Sequence, residues 1–172
     1  EFHGKVNHYF NTTDFTISFY FKPEQYLVFK QSLLSKRSEC DEYNMFDFLL
    51  DLNLEEVSTA VYESPVKFYS NISPALDSKG WHHFALVREG VMATTYINGQ
   101  PRKKGFRCSG VDLSNDQVLS FSKSPCLNSV GVRRFKGVLD ELRVYDRALS
   151  SEEIQMLYNL NPVENAQMDC VT

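Results

Sequence analysis

No apolar run in the chain approaches the ~18 residues of a membrane-crossing helix, so no such segment can anchor it in a bilayer. No C-x-x-C pair occurs among its four cysteines, Cys40, Cys108, Cys126 and Cys170, and no histidine stands at zinc-finger spacing from them. A zinc ribbon and a dithiol redox motif are therefore both excluded. Low-complexity segments, internal repeats and domain linkers are also missing, and the 172 residues fit one domain, 1–172. No secretory leader is visible. The opening Glu1-Phe2 is compatible with a cloning scar on a mature or excised domain.

What is present is aromatic and strand-prone. The chain has 13 Phe and 9 Tyr, which lean towards strands. A chain of this length buries roughly 70% of the surface its unfolded form exposes, enough for a full core. An even count of scattered cysteines points to two disulfides and an oxidising compartment; the alternative is buried free thiols in a cytosolic protein. The triplets Asn11-Thr12-Thr13 and Asn71-Ile72-Ser73 are glycosylation sequons and point the same way, although Pro74 makes the second a poor acceptor.

The net charge of −4 conceals an asymmetry. Between Pro101 and Lys136 stand eight basic residues (Arg102, Lys103, Lys104, Arg107, Lys123, Arg133, Arg134, Lys136) against Asp112 and Asp116. The remainder is strongly acidic. That basic segment is the one feature of the composition that suggests an anionic partner.

Strand patterns follow one another. In "FTISFYFKP", Phe15, Ile17, Phe19 and Phe21 alternate with Thr16, Ser18 and Tyr20, the period of a half-buried strand, and Pro23 ends it. In "MFDFLLDLNLEEV", Phe46, Phe48, Leu50, Leu52 and Leu54 share one face and Asp47, Leu49, Asp51, Asn53 and Glu55 the other. "STAVYESPVKFYS" holds two short strands split at Ser64-Pro65. "GWHHFALVREGVMATTYINGQ" is a hairpin punctuated at Glu89-Gly90, followed by a type I′ turn at Asn98-Gly99. "VLSFS" is another short strand. In "GVLDELRVYD", Val138, Asp140, Leu142 and Val144 oppose Leu139, Glu141, Arg143 and Tyr145. One helix is specified: Ser150 and Glu153 form a capping box, Leu149 and Ile154 a hydrophobic staple, and Ile154, Leu157 and Tyr158 an apolar face bounded by Pro162. Many short strands with one late helix predict an all-β sandwich.

"GWHHFALVREGVMATTYINGQ" and "FKGVLDELRVYDRALSSEEIQMLY", with the opening "FHGKVNHYF…FTISFYFKP", resemble the motifs of laminin G-like domains. These belong to the concanavalin A-like jelly-roll superfamily that includes pentraxins. The resemblance runs along nearly the whole chain. It implies two curved antiparallel sheets in a jelly roll with one short C-terminal helix. It also implies an extracellular recognition or adhesion module, with glycans or proteins as ligands. Many members bind calcium at a rim, which makes Asp140 the matching metal ligand. The Asp of the family's opening Phe-Asp-Gly is replaced here by His3, a poor ligand for oxygen-seeking calcium, so weak calcium binding or none is expected.

Catalysis is disfavoured. Asp140 and Glu141 are strand neighbours and should point to opposite faces, whereas a glycosidase pair faces one cleft. One of the two is then structural, pairing with Arg143 or Arg147 or holding calcium, and the other solvated. Asp51, Asn53 and Glu55 share a strand face but lack the Glu-x-Asp-x-x-Glu order of jelly-roll glucanases. His82 and His83 diverge as strand neighbours and read as structural. The expectation is a secreted, non-catalytic module that binds carbohydrate. If Arg102, Lys103, Lys104 and Arg107 converge with Arg133 and Arg134, the ligand is an acidic glycan or glycoprotein. The alternatives are adhesion to a cell-surface protein and a divergent glycoside hydrolase or lyase. Nucleic acid and membrane insertion are not expected. Of the three possible disulfide pairings, chain order favours Cys108 with Cys126 and Cys40 with Cys170.

Overall fold

The computed structural model describes residues 1–3, 7, 10, 14–25, 27–74, 76, 80–106, 111–128 and 131–163. In chain order the strands are β1 Phe15–Pro23, β2 Lys30–Lys36, β3 Met45–Asp51, β4 Glu56–Ser64, β5 Lys67–Pro74, β6 His82–Glu89, β7 Met92–Ile97, β8 Gln100–Phe106, β9 Ser120–Phe121, β10 Val132–Arg134 and β11 Gly137–Tyr145. One helix, α1 Ser151–Tyr158, follows. The first sheet runs β11-β1-β6-β7-β8. The second runs β10-β2-β3-β4-β5, with β9 also paired to β2. Among the described residues the ladders are antiparallel except β10 on β2, which is parallel. The all-β sandwich predicted by the strand periods is observed, in the jelly-roll form that the laminin G-like resemblance implies.

The core lies between the sheets and is largely phenylalanine. Phe15, Ile17, Phe19 and Phe21 of β1 face Phe46, Phe48 and Leu50 of β3, and the Phe48 and Phe84 rings stand 5.4 Å apart. The far face of the first sheet is buried as well. Leu149, Ile154 and Leu157 cover Ala85, Val87, Tyr96 and Tyr145 there, forming a second cluster. The capping box at Ser150 is present with both of its hydrogen bonds. Thr16, on the same outer face, donates to the Arg147 carbonyl and accepts from the Leu149 amide, fixing the entry to the helix.

Two sequence expectations need correction. The alternation from Phe46 does not continue to Leu54: β3 ends at Asp51, Leu54 is 61% exposed, and residues 52–55 form a turn. Asp51 Oδ1 accepts from the Asn53 amide at 3.1 Å and the Leu54 amide at 3.3 Å, and this side-chain turn competes successfully with a longer strand. In β11 the register against β1 shifts between Ser18 and Tyr20, and Glu141 adopts φ +52°. The bulge inserts one residue, so Leu139 joins Leu142 and Val144 towards the core.

Candidate functional site

A cleft of about 790 Å³ opens beside β2 on the second sheet, among β9, β10 and the 3₁₀ turn Pro125–Asn128. Its floor follows from strand alternation. Ser35 pairs with Asp47 on one side and with Ser120 on the other, and all three point away from the phenylalanine core. Short hydroxyl side chains there leave space above the sheet. One wall is the segment from Lys123 to Leu127, the other is β10 and Lys136, and Leu27 and Phe29 add apolar surface.

Five cations and one carboxylate line the cleft: Arg37, Lys123, Arg133, Arg134 and Lys136 against Glu1. Arg37 belongs to the foundation. Its Nη1 donates to Asp47 Oδ2 at 3.0 Å, its Nε to the Glu39 carbonyl and its Nη2 to the Asp41 carbonyl, and both partners of the ion pair are buried. Ser124 Oγ donates to the same Asp47 oxygen at 3.3 Å. Burial pushes the Asp47 carboxyl up to about 6, with Arg37 and Ser124 pulling in the opposite direction. The other four cations are exposed. The Arg133 guanidinium lies 4.5 Å from the centre of the Phe29 ring, and Arg134 Nη1 donates to the Ser122 carbonyl at 3.2 Å. Lys123 pairs with Glu1, an exposed contact of little energetic weight.

The predicted basic residues divide. Arg133 and Arg134 enter the cleft, but Arg102 lies on β8, which packs against β5 at the opposite edge of the sandwich. Four inter-strand spacings, about 19 Å, separate those edges, so Arg102 does not converge with Arg133 and Arg134. The segment after Asn98-Gly99 is a strand, not the expected solvated turn, because the type I′ turn continues the ladder. The side chains of Lys103 and Lys104, and Arg107 as a whole, lie outside the described residues.

The disulfide joins Cys40 to Cys126, in place of both expected pairings. Chain order misled because Cys126 follows β9, which pairs with β2 rather than with the β8 hairpin, and this carries it to the β2–β3 loop that holds Cys40. The bridge fastens the 3₁₀ wall of the cleft. Cys108 and Cys170 lie outside the described residues, as does Asn11. Asn71 sits within β5, paired with Thr59, rather than in a loop.

His82 and His83 diverge as expected. The His82 ring stands 5.4 Å from Phe21 in the main core, whereas His83 Nε2 lies 2.8 Å from Ser18 Oγ on the outer face, near Tyr158. Burial lowers the His83 imidazole to about 4. Asp51 caps its turn and Glu55 has φ +50°, so Asp51, Asn53 and Glu55 do not share a strand face. Asp140 lies on β11 away from the cleft, while His3 stands beside Glu1. Among the described residues no three histidine, cysteine or carboxylate side chains gather to hold a metal. Ser35, Arg37, Ser120, Ser124 and Phe29 line the cleft without any motif in the sequence to mark them. They meet only through the pairing of β2 with β9 and β10, and no local pattern announces that pairing.

The family model described as the concanavalin A-like lectin/glucanases superfamily, a laminin G model, matches residues 4–155. A comparison with curated proteins gives no match. Among solved structures, the chain is similar to the Ruminococcus gnavus IT-sialidase CBM40 bound to α2,3-sialyllactose, at 15% identity and a TM-score of 0.69, covering 86% of this chain and 83% of that one. The heptameric SAP-like pentraxin of Limulus polyphemus aligns at 13% identity and a TM-score of 0.66, over 92% and 76% of the two chains. The binding domain of Paraclostridial Mosquitocidal Protein 1 aligns at 20% identity and a TM-score of 0.64, over 88% of this chain and 38% of that one.

Proposed function

The chain belongs to the concanavalin A-like lectin/glucanases superfamily, and on that premise we propose that it is a non-catalytic extracellular recognition module that binds acidic carbohydrate in the cleft beside β2. The observation that carries this reading is the grouping of Lys123, Arg133, Arg134 and Lys136 around a floor of serine hydroxyls. Guanidinium groups meet carboxylates and sulfates with paired hydrogen bonds, serines suit sugar hydroxyls, and Leu27 and Phe29 offer an apolar strip to a sugar ring. Phe29 also holds the Arg133 guanidinium in place before a ligand arrives.

Two further points support it. The structures of similar fold include CBM40 with α2,3- and α2,6-sialyllactose, ligands that carry a carboxylate, and a botulinum neurotoxin type C whose cell entry depends on two ganglioside molecules. The carboxylates near the cleft are also poorly placed for hydrolysis. Asp47 is held beneath Arg37, and Glu1 pairs with Lys123 at the surface. The Cys40–Cys126 bridge supports an oxidising compartment. Arg102, on the other edge, has no part in this site.

Calorimetric titration with 3′-sialyllactose, lactose and a heparin-type oligosaccharide tests the reading. Binding of either anionic ligand with none by lactose upholds it. Failure of both anionic ligands at low salt, or equal binding of lactose, overturns it.

A further inference from the structure

A second pocket, of about 330 Å³, lies on the outer face of the first sheet and is lined by Tyr20, Trp81, Asp140, Glu141 and Leu160. Its chemistry is the reverse of the basic cleft: two aromatic rings and two carboxylates. Trp81, the single tryptophan of the chain, is 46% exposed, unusual for so large an apolar ring. Tyr20 stands directly opposite Asp140 in the β1–β11 ladder, and its hydroxyl donates to the Tyr158 carbonyl, which fixes the ring against the end of α1.

The backbone is shaped to build this pocket. In a regular strand Glu141 would turn away from Asp140. The left-handed conformation of Glu141, φ +52°, breaks the alternation, and both carboxylates come to the same rim. Leu160, which closes the pocket past α1, is left-handed too, at φ +59°. Neither residue is glycine, and such conformations persist only where the surroundings hold them, commonly at ligand sites. Arg143 pairs with Glu141, and Asp140 Oδ1 accepts from the Glu141 amide at 2.8 Å, so both acids are held in position with a net negative charge between them.

We propose that this pocket binds a compact organic cation, an alkylammonium or guanidinium group, seated on Trp81 and Tyr20 and neutralised by Asp140 and Glu141. A ring face attracts a cation through its quadrupole, best of all at tryptophan, and the carboxylates add direct charge. A metal ion gains less, because among the described residues no third histidine, cysteine or carboxylate joins Asp140 and Glu141. An anionic sugar is repelled. The cation is either a free small molecule or the lysine or arginine side chain of a protein partner. The site shares no lining residue with the basic cleft, so it stands or falls independently of the acidic-carbohydrate reading.

Because Trp81 is the only tryptophan, its emission reports on this pocket alone. The intact chain is titrated with tetramethylammonium chloride, with N-acetyl-lysine amide and with N-acetyl-arginine amide, against sodium chloride at matched ionic strength and against lactose. A saturable emission change with at least one organic cation, absent with sodium chloride and lactose, is the expected result. Saturation by tetramethylammonium identifies the free-cation source; saturation by the amino-acid amides alone identifies a protein side chain. Asp140→Asn should weaken the binding about tenfold, the scale of one partly desolvated cation contact. The conservative Glu141→Gln, at an exposed position, gives a second variant should the first fold poorly. No saturable change with any cation, or an equal response to lactose that survives Asp140→Asn, overturns the proposal.

Discussion

Arg37 Nη1 stands 3.0 Å from Asp47 Oδ2 directly beneath the basic cleft, with both side chains buried. The pair joins the loop after β2 to the middle of β3, and through Ser124 it reaches the wall that carries Cys126. Desolvation outweighs the attraction of Arg37 and lifts the Asp47 carboxyl to about 6, from an ordinary value of 3.8. Between about 4 and 6 the folded protein holds a proton there that the unfolded chain has released, so Asp47 makes stability fall as pH rises.

His83 works in the opposite sense over the same range. Burial lowers it to about 4 from 6.5, so between those values the unfolded chain binds the extra proton and stability rises with pH. The two effects offset one another. Thermal midpoints measured from pH 4 to pH 7 should therefore show His83→Gln falling with pH relative to the wild type, and Asp47→Asn rising. Parallel curves for all three proteins would show that neither group is perturbed.

The Cys40–Cys126 bridge closes a loop of 86 residues and ties down one wall of the cleft. Cys126→Ser should cost about 4 kcal/mol on the chain-entropy account and lower the thermal midpoint by roughly 10 °C. Anionic-glycan binding should weaken in the same variant, because Ser124 and Leu127 flank the bridge. Peptide mapping without reduction should recover Cys40 joined to Cys126.

Gly137 opens β11 next to Lys136, and a Cβ there would meet the Lys22 carbonyl oxygen at 2.1 Å. The neighbour is backbone and cannot step aside. Gly137→Ala should destabilise by about 3 kcal/mol, the upper end of ordinary single substitutions, as read by chemical denaturation.

The parts legible in the sequence were those encoded locally. The alternation of Phe15, Ile17, Phe19 and Phe21 placed β1, Asn98-Gly99 placed the β7–β8 turn, and Ser150 with Glu153 placed the start of α1. The illegible parts depend on a local conformation that overrides a period, or on partners far apart in the chain. Asp51 stops β3 with its side chain although Leu52 and Leu54 continue the pattern. One left-handed residue, Glu141, reverses the faces of the residues before it, and so brings together the two carboxylates that strand alternation would separate. Half of the site was visible as Arg133 and Arg134. The other half, from Phe29 and Ser35 to Ser120 and Ser124, exists only because β9 and β10 both pair with β2. Arg102 and Arg133 share one basic segment of the sequence, but the sandwich puts them on opposite edges.

The central claim, that Arg133 and Arg134 bind an acidic glycan, is tested most directly by titrating 3′-sialyllactose into the wild type and into an Arg133→Ala, Arg134→Ala double variant. The titrations run from about 0.01 M to about 0.15 M salt. The account predicts wild-type binding that weakens as salt rises, and binding at least about tenfold weaker in the variant at low salt. It also predicts a thermal midpoint within about 3 °C of the wild type, since both side chains are exposed. A double variant that keeps the wild-type affinity at every salt concentration would contradict the account.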